Sequence, residues 1–360
     1  MKIGILTYHR TYNYGGCLQA LATRLVLESM GHEVYYVDYW PDYHSEEYKL
    51  FSIRRFNRLH GISKIKYLKN SLMSIKVRVL QRKAFELYHK SYTYPYCKTS
   101  KEEFDVIVYG SDQIWRFQNS IGDYNPVYFG HNVYVSKKHI AYAASMGTIP
   151  AKESDIDRVL SLLTKFDAIS VRENDLKEFL VCHGFNNICQ VLDPTLLISS
   201  GKWLSTLKPE PCNDGKYVLV YALWEDVFDY NAIKAFANQI GCEVKILKGN
   251  GECMSNSKSE MVNPIRFVQL VNHADFIFSS SFHGLAFSII FRKQFFISIK
   301  QHSARVKSLL ATLGLTDRFI EPLSSIPSNM GKIDYEKVNL ELAKMAMESM
   351  DFLKNEISES

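Results

Sequence analysis

Apolar and polar positions along the chain fall into two long series of the same design. In the first, short apolar runs at 3–7, 34–39, 106–109, 139–145, 168–171 and 190–192 are separated by longer stretches, notably 16–30 and 152–165, in which apolar residues recur every three or four positions. Short apolar runs bounded by turn residues read as buried strands, and the three-to-four period reads as helix. A polar break at 199–216, carrying Pro209 and Pro211, leads to a second series at 217–223, 243–248, 276–279 and 295–299. Strands alternating with helices predict parallel sheets covered on both faces. The expected fold class is therefore α/β, with two doubly wound domains facing a cleft. The expected boundaries are 1–199, with a helical insertion at about 53–91; 200–333; and a C-terminal helix and tail, 334–360, that could cross back over the first domain.

In such domains ligands bind beyond the carboxyl ends of the strands, so the polar residues placed there are the ones to read. The run 275–279 stops in Ser279, Ser280 and Ser281, and His283 follows at the start of a wholly apolar segment. Unpaired backbone N–H groups and the helix dipole favour an anion at such a position; equally, the serines could cap the helix and His283 be a core histidine. After the first strand comes a polar loop whose paired Gly15 and Gly16 permit close backbone approach to a ligand at the start of the next helix. Gly110-Ser111-Asp112-Gln113-Ile114-Trp115, Ser145-Met146-Gly147 and Ser170-Val171-Arg172-Glu173 end three further strands.

Composition adds one asymmetry. The 360 residues are 46% hydrophobic and 22% charged with a net charge of +5, ordinary for a globular protein. Yet residues 54–90 hold eleven Lys/Arg against the single acid Glu86, a local +10. Ile62, Ile65, Leu68, Leu72, Ile75 and Val79 recur there at helical spacing. Three readings compete: a helix docked on the core, a helix on an anionic membrane surface, and a nucleic-acid patch, the last without any accompanying motif. No run reaches the roughly 18 apolar residues of a membrane span, and the first residues lack a signal-peptide pattern, so a cytoplasmic protein is expected. Seven scattered cysteines without a C-x-x-C pair indicate neither a disulfide framework nor a structural zinc site, and no metal is implied.

Taken in order, Asn13-Tyr14-Gly15-Gly16-Cys17-Leu18-Gln19-Ala20, Gly110 to Trp115, Tyr142-Ala143-Ala144-Ser145-Met146-Gly147, Ser170 to Glu173, Val191-Leu192-Asp193-Pro194-Thr195, Ser280-Ser281-Phe282-His283-Gly284 and Ser303-Ala304-Arg305 resemble the polysaccharide pyruvyl transferase family. The resemblance implies two Rossmann-like domains of the GT-B type. It also implies transfer of the enolpyruvyl carbons of phosphoenolpyruvate onto two hydroxyls of a sugar, giving a cyclic pyruvate ketal and phosphate. His283 and Arg172 match family positions associated with the donor. Two positions depart from the family pattern: Ser281 stands where better-studied members often have arginine, and Gly16 where some have an acid, with Arg305 and Asp112 as substitutes.

A phosphate and a carboxylate together call for fixed positive charge and oriented N–H donors. The residues read as donor-binding are Arg172, Arg305, Asn13, Gly15, Gly16, Ser281 and Gly284. Proton transfer suits histidine, whose ordinary pKa is about 6.5. His283 is the acid in this reading, with Asp112 or His9 as the base, and Trp115 and Gln113 at the acceptor. Each has a plain alternative: Asp112 a turn residue, Arg172 an ion pair with Glu173 or Asp175, Trp115 a packing residue, Arg305 a domain contact, Asp193 a strand end. The expected partners are phosphoenolpyruvate, with no other cofactor, and a hexose on a polyprenyl pyrophosphate. The inner-membrane surface, met through 54–90, is a third, and nucleic acid is not expected. A nucleotide-sugar glycosyltransferase on the same scaffold and a non-catalytic glycan binder are the alternatives.

Overall fold

Apolar runs with no polar interruption become central strands: all six residues of Tyr217–Ala222 are buried, as expected for a strand covered on both faces of a sheet. The computed structural model describes residues 1–98, 102–131, 134–211, 213–224, 226–255, 258–300, 303–327 and 331–358, with the side chains of residues 47, 54 and 55 excepted. Strands β1 (Lys2–Leu6), β2 (Glu33–Val37), β3 (Cys97–Lys98), β4 (Glu103–Tyr109), β5 (Val135–Ala144), β6 (Ala168–Val171) and β7 (Cys189–Gln190) form one parallel sheet in the order β3-β2-β1-β4-β5-β6-β7. Strands β8 (Tyr217–Ala222), β9 (Glu243–Lys248), β10 (Glu252–Met254), β11 (Ser259–Met261), β12 (Phe276–Ser279) and β13 (Gln294–Ile297) form the second, in the order β11-β10-β9-β8-β12-β13. These are two Rossmann-like domains. The second sheet is mixed rather than parallel throughout, because β10 runs antiparallel to both β9 and β11.

Strand order reverses between β1 and β4 in the first sheet and between β8 and β12 in the second. Helices leave opposite faces at such a point and open a crevice beyond the strand ends, which is where doubly wound folds bind ligands. Both reversals deliver a helix start to the same place. The helix Tyr14–Ser29 follows β1, its first turn capped by Asn13, whose side-chain oxygen accepts from the N–H of Gly16 at 3.2 Å. The helix Phe282–Ile290 follows β12 and buries eight of its nine residues, which its uniformly apolar sequence requires.

The domains are joined by a shared core in which Ile3, Leu18 and Tyr142 belong to the same apolar cluster as Leu219, Phe267 and Phe287. Tyr14 stacks on Phe267 with ring centroids 4.7 Å apart and donates its hydroxyl to the Val262 carbonyl at 3.0 Å. The last helix, Tyr335–Ser358, begins on the second domain, where the Tyr335 hydroxyl donates to Ser288 O. It ends on the first, where the Leu192 N–H donates to the Ser349 hydroxyl at 2.9 Å and Lys138 donates to Glu356 O at 2.6 Å. The six described cysteines are free thiols; Cys212 lies outside the described residues. No helix among the described residues is long and apolar enough to cross a membrane.

Candidate functional site

The two crevices meet at one buried carboxylate. Asp193 follows β7, and its Oδ1 accepts from the Thr195 backbone N–H (3.0 Å) and the Thr195 hydroxyl (2.7 Å). Its Oδ2 accepts from the Ser111 hydroxyl at 2.9 Å and from Arg172 Nη1 at 2.6 Å. His283 Nε2 lies 3.7 Å from the same oxygen, within ion-pair range but beyond a hydrogen bond. Burial alone would raise the Asp193 pKa, but His283, Arg172 and Thr195 outweigh it and hold the carboxyl well below the usual range. Ser111, Arg172 and Asp193 come from three strand ends of the first domain, whereas His283 comes from the second. The carboxylate therefore ties the domains together through the imidazole.

His283 occupies the second position of its helix, and no side chain caps that helix. Gly15 lies against the imidazole: a methyl group there would sit 2.0 Å from Nδ1. Beside it, the Arg172 and Arg305 guanidiniums lie 4.7 and 5.6 Å from the centroid of the Phe282 ring, a cation–π arrangement that favours two like charges side by side. Burial works against the charge of Arg172, but Asp193, Glu173 and Asp112 raise its pKa above the ordinary value. Arg305 is pushed down to about 10 by burial and then by Arg172. Among the described residues Arg172 Nε and Nη2, Arg305 Nε and His283 Nε2 are buried without a hydrogen-bond partner. Buried polar atoms are normally satisfied, so four such nitrogens on neighbouring side chains make this a candidate place for an anion. The space between Arg172, Arg305, Leu309 and Met345 is about 10 Å³, too small in this conformation for an anion larger than water.

Glu173 adds a second buried carboxyl. It accepts from the Ser145 hydroxyl and lies 3.9 Å from Arg172 Nε, and burial raises its pKa despite the neighbouring arginine. Neither Asp193 nor Glu173 stands out in the sequence as a site residue. The available signal was position alone, since both lie just past strand ends as Arg172 does.

Several sequence expectations need correction. Trp115 is fully buried, stacked on Phe129 at 5.5 Å with its indole N–H donating to Tyr128 O at 2.9 Å, so it offers no face to a sugar. Gly16 and Gly284 make room for protein rather than ligand: a methyl group would meet Thr11 Cγ2 at 2.3 Å and Ser279 Oγ at 1.9 Å respectively. Asn13 spends its oxygen on the helix cap, and Ser281 is the N-cap residue of its helix without donating or accepting as a side-chain cap. Arg172 pairs most closely with Asp193, at 2.6 Å, and more loosely with Glu173, at 3.9 Å. Asp112 adopts left-handed backbone (φ 69°) and accepts from the Gln113 N–H at 2.8 Å, a turn residue that still lies close enough to raise the pKa of both arginines. Gln113 lines a cleft of about 770 Å³ beyond β4 and β5, together with Tyr43, Arg116, Phe117, Asn119 and Thr148. That mixture of amides, hydroxyls and a half-open aromatic ring suits a carbohydrate.

His9 lies apart from this cluster. Its ring is buried and stacked 5.2 Å from Tyr36, and Nδ1 contacts Thr7 O at 3.0 Å, so it is not placed to act as the base. His9, Asp38 and Cys97 bring ligand atoms within 4.8 Å of one another, the one group of this kind among the described residues. Arg10 pairs with Asp38, so a guanidinium already answers that carboxylate. Burial lowers the His9 pKa to about 3. The unfolded chain therefore takes up a proton below about pH 6.5 that the folded chain refuses, and stability falls as pH drops from there. The melting midpoint is expected to be lower at pH 5 than at pH 7; a flat profile over that range would contradict the burial of a neutral His9.

Solved structures similar to the chain include UDP-GlcNAc 2-epimerase from Neisseria meningitidis bound to UDP-GlcNAc, at 10% identity over 100% of each chain with a TM-score of 0.47. The UDP-GlcNAc 2-epimerase of Methanocaldococcus jannaschii is 14% identical over 96% of this chain and 93% of its own, with a TM-score of 0.45. Escherichia coli heptosyltransferase WaaC with ADP is 10% identical over 96% and 100%, with a TM-score of 0.40. No curated protein sequence matches the chain. The family model for polysaccharide pyruvyl transferase matches residues 13–300, a span that holds the Asp193 cluster apart from Arg305, and on that match the chain belongs to the polysaccharide pyruvyl transferase family.

Proposed function

We propose that the protein moves the enolpyruvyl group of phosphoenolpyruvate onto two hydroxyls of a hexose in a lipid-linked precursor of a surface polysaccharide. The product is a cyclic pyruvate ketal, with release of phosphate. The observation that carries this reading is the set of four buried nitrogens without a hydrogen-bond partner on Arg172, Arg305 and His283, which suits a compact anionic ligand such as one bearing a phosphate and a carboxylate.

The chemistry divides among the residues as follows. His283 gives a proton to the methylene carbon, turning the C=CH2 of the donor into a methyl group on a cationic carbon that Arg172 and Arg305 flank through the ligand's own anions. A sugar hydroxyl adds to that carbon and loses its proton to a base, for which Asp112, near both arginines and next to the cleft residue Gln113, is our choice. The carbon–oxygen bond to phosphate then breaks, phosphate leaves with the bonding electrons, and a second sugar hydroxyl closes the ketal and releases a second proton. Asp193 touches none of the reacting atoms. It positions His283 and Arg172 and offsets their charge until the donor enters. The acceptor hexose lies in the 770 Å³ cleft in this reading, and its lipid carrier places the enzyme against the cytoplasmic face of a membrane.

Donor binding is the first test. Phosphoenolpyruvate at about 100 times its Kd should stabilise the protein by roughly 2.7 kcal/mol in a thermal melt. Arg172→Lys should weaken donor binding at least tenfold, because an ammonium does not reproduce a planar fork. Stabilisation by a sugar nucleotide and none by phosphoenolpyruvate would move the assignment to a glycosyltransferase.

A further inference from the structure

The helix Ile62–Tyr92 is anchored at one end only. Phe85, Tyr88 and His89 are buried, the Tyr88 hydroxyl donates to Cys17 O at 3.1 Å, and His89 Nε2 contacts Thr11 O at 3.1 Å. Away from these anchors the other face stands open, along the N-terminal half and as far as Leu87: Ile62, Ile65, Leu72, Met73 and Leu87 each expose 64–73% of their surface. The apolar stripe of this segment therefore does not dock on the core.

Its pattern is specific. Lys69, Lys76, Lys83 and Lys90 recur every seven residues and are all exposed. Seven residues are almost two helical turns, so these lysines form one row along the helix. Ile65 and Leu72 run at the same spacing on one side of that row, and Met73, Leu80 and Leu87 on the other. The solvent face is thus a line of ammonium groups between two lines of aliphatic side chains. The only acid of residues 54–90, Glu86, is engaged by the hydroxyls of Tyr12 and Tyr94.

We infer that this face is a membrane-docking surface for anionic phospholipid, with the helix lying in the headgroup plane and its aliphatic rows entering the acyl boundary. A second copy of the chain is a poor occupant, because it would set one lysine row against another with no acid to answer either. Nucleic acid would satisfy the lysines but leave both aliphatic rows unburied, since its contacts are mainly to phosphate and sugar. An anionic bilayer meets both, the lysine row at the phosphates and the aliphatic rows to either side against the headgroup–acyl boundary. The inference deepens the proposed function by naming its partner surface and rests on it for the membrane-carried acceptor. Vesicle binding needs neither donor nor acceptor, however, so either can fail without the other.

The test is co-sedimentation of the full chain with vesicles of phosphatidylcholine alone or mixed with phosphatidylglycerol. Binding is expected to the mixed vesicles only, and to weaken as salt rises from 0.05 to about 0.5 M, where screening shortens to a few ångströms. Changing Lys66, Lys69, Lys76, Lys83 and Lys90 to Gln should lower binding on the order of 100-fold or more. Ile65→Asn with Leu72→Asn and Met73→Asn should weaken it at low salt too, which a purely electrostatic attraction would not show. All eight positions are exposed, so melting curves should match the parent and exclude misfolding. Equal binding to neutral vesicles, no binding to either kind, or binding unchanged in both variants would overturn the inference. Retention on duplex DNA or self-association, lost in the lysine variant without any vesicle binding, would assign the face to that partner instead.

Discussion

Replacing Asp193 by alanine is expected to abolish turnover and to lower the unfolding free energy by about 3–5 kcal/mol, the cost of removing one partner from a buried ion pair. The size of the effect follows from what the carboxylate holds. Four hydrogen bonds end on it, from Ser111, Arg172 and Thr195, and His283 of the other domain stands 3.7 Å away. Without it, two buried cations share the Phe282 ring with Glu173 and Asp112 left to offset them. Asp193→Asn separates the two consequences: it keeps the volume and two acceptor lone pairs but removes the charge. Turnover is expected to fall about 100-fold or more with a smaller loss of stability. The pH dependence has a definite sign. The folded pKa of Asp193 is depressed, so its contribution is present above the ordinary carboxylate pKa and is lost as pH falls through that range towards the folded value. Equilibrium denaturation of both variants and phosphate release from phosphoenolpyruvate measure the two effects. Wild-type stability in the alanine variant would mean that the cluster does not join the domains.

The second large effect is expected at His283. His283→Ala should lower kcat by about 10²- to 10⁴-fold while donor binding, to which the two arginines give three of the four nitrogens, falls far less. A residue that merely filled space would show the reverse, a shift in stability with kcat preserved. His283→Gln sharpens the distinction: glutamine can donate a hydrogen bond to Asp193 and restore packing against Gly15, but it cannot deliver a proton to carbon. Rescue of stability without rescue of kcat is the expected pattern. Full activity in His283→Gln would transfer the proton to another group, with Glu173 next in line because burial keeps its carboxyl pKa raised.

The alternation of strands and helices was legible because a strand buried on both faces leaves an uninterrupted apolar run; β8 and β12 show this directly. What was not legible is what neighbours supply. Strand β3 has two half-buried residues and exists only as an addition to the edge of β2, and β10 and β11 are three-residue strands without a distinctive apolar run, stabilised by pairing of β10 with β11 and with β9. The same holds at the site. His283 and Arg172 could be singled out by position, but Asp193 before Pro194 looked like a strand end. Its importance comes from Ser111, 82 positions away, and from His283 on the other domain. Trp115 misled because its loop neighbours are polar, although its own side chain turns inward against Phe129. The glycine pair reads as room for a ligand, and Gly284 as donor-binding; at Gly15, Gly16 and Gly284 the room is taken by protein. The approaching groups are a histidine, a threonine and a serine of the same chain, and that no local pattern records.

The central claim is that Arg172, Arg305 and His283 form the site of a ketal-forming transfer from phosphoenolpyruvate. The most direct measurement uses donor labelled with ¹³C in its three carbons, incubated with the purified protein and a panel of lipid-linked hexoses, with products read by NMR and mass spectrometry. The account predicts that phosphate is released in equal amount to a new labelled methyl group on a quaternary carbon bonded to two sugar oxygens, and that neither forms with His283→Ala. Phosphate release with free labelled pyruvate as the only product across the panel, or glycosyl transfer from a sugar nucleotide with the labelled donor untouched, would contradict it.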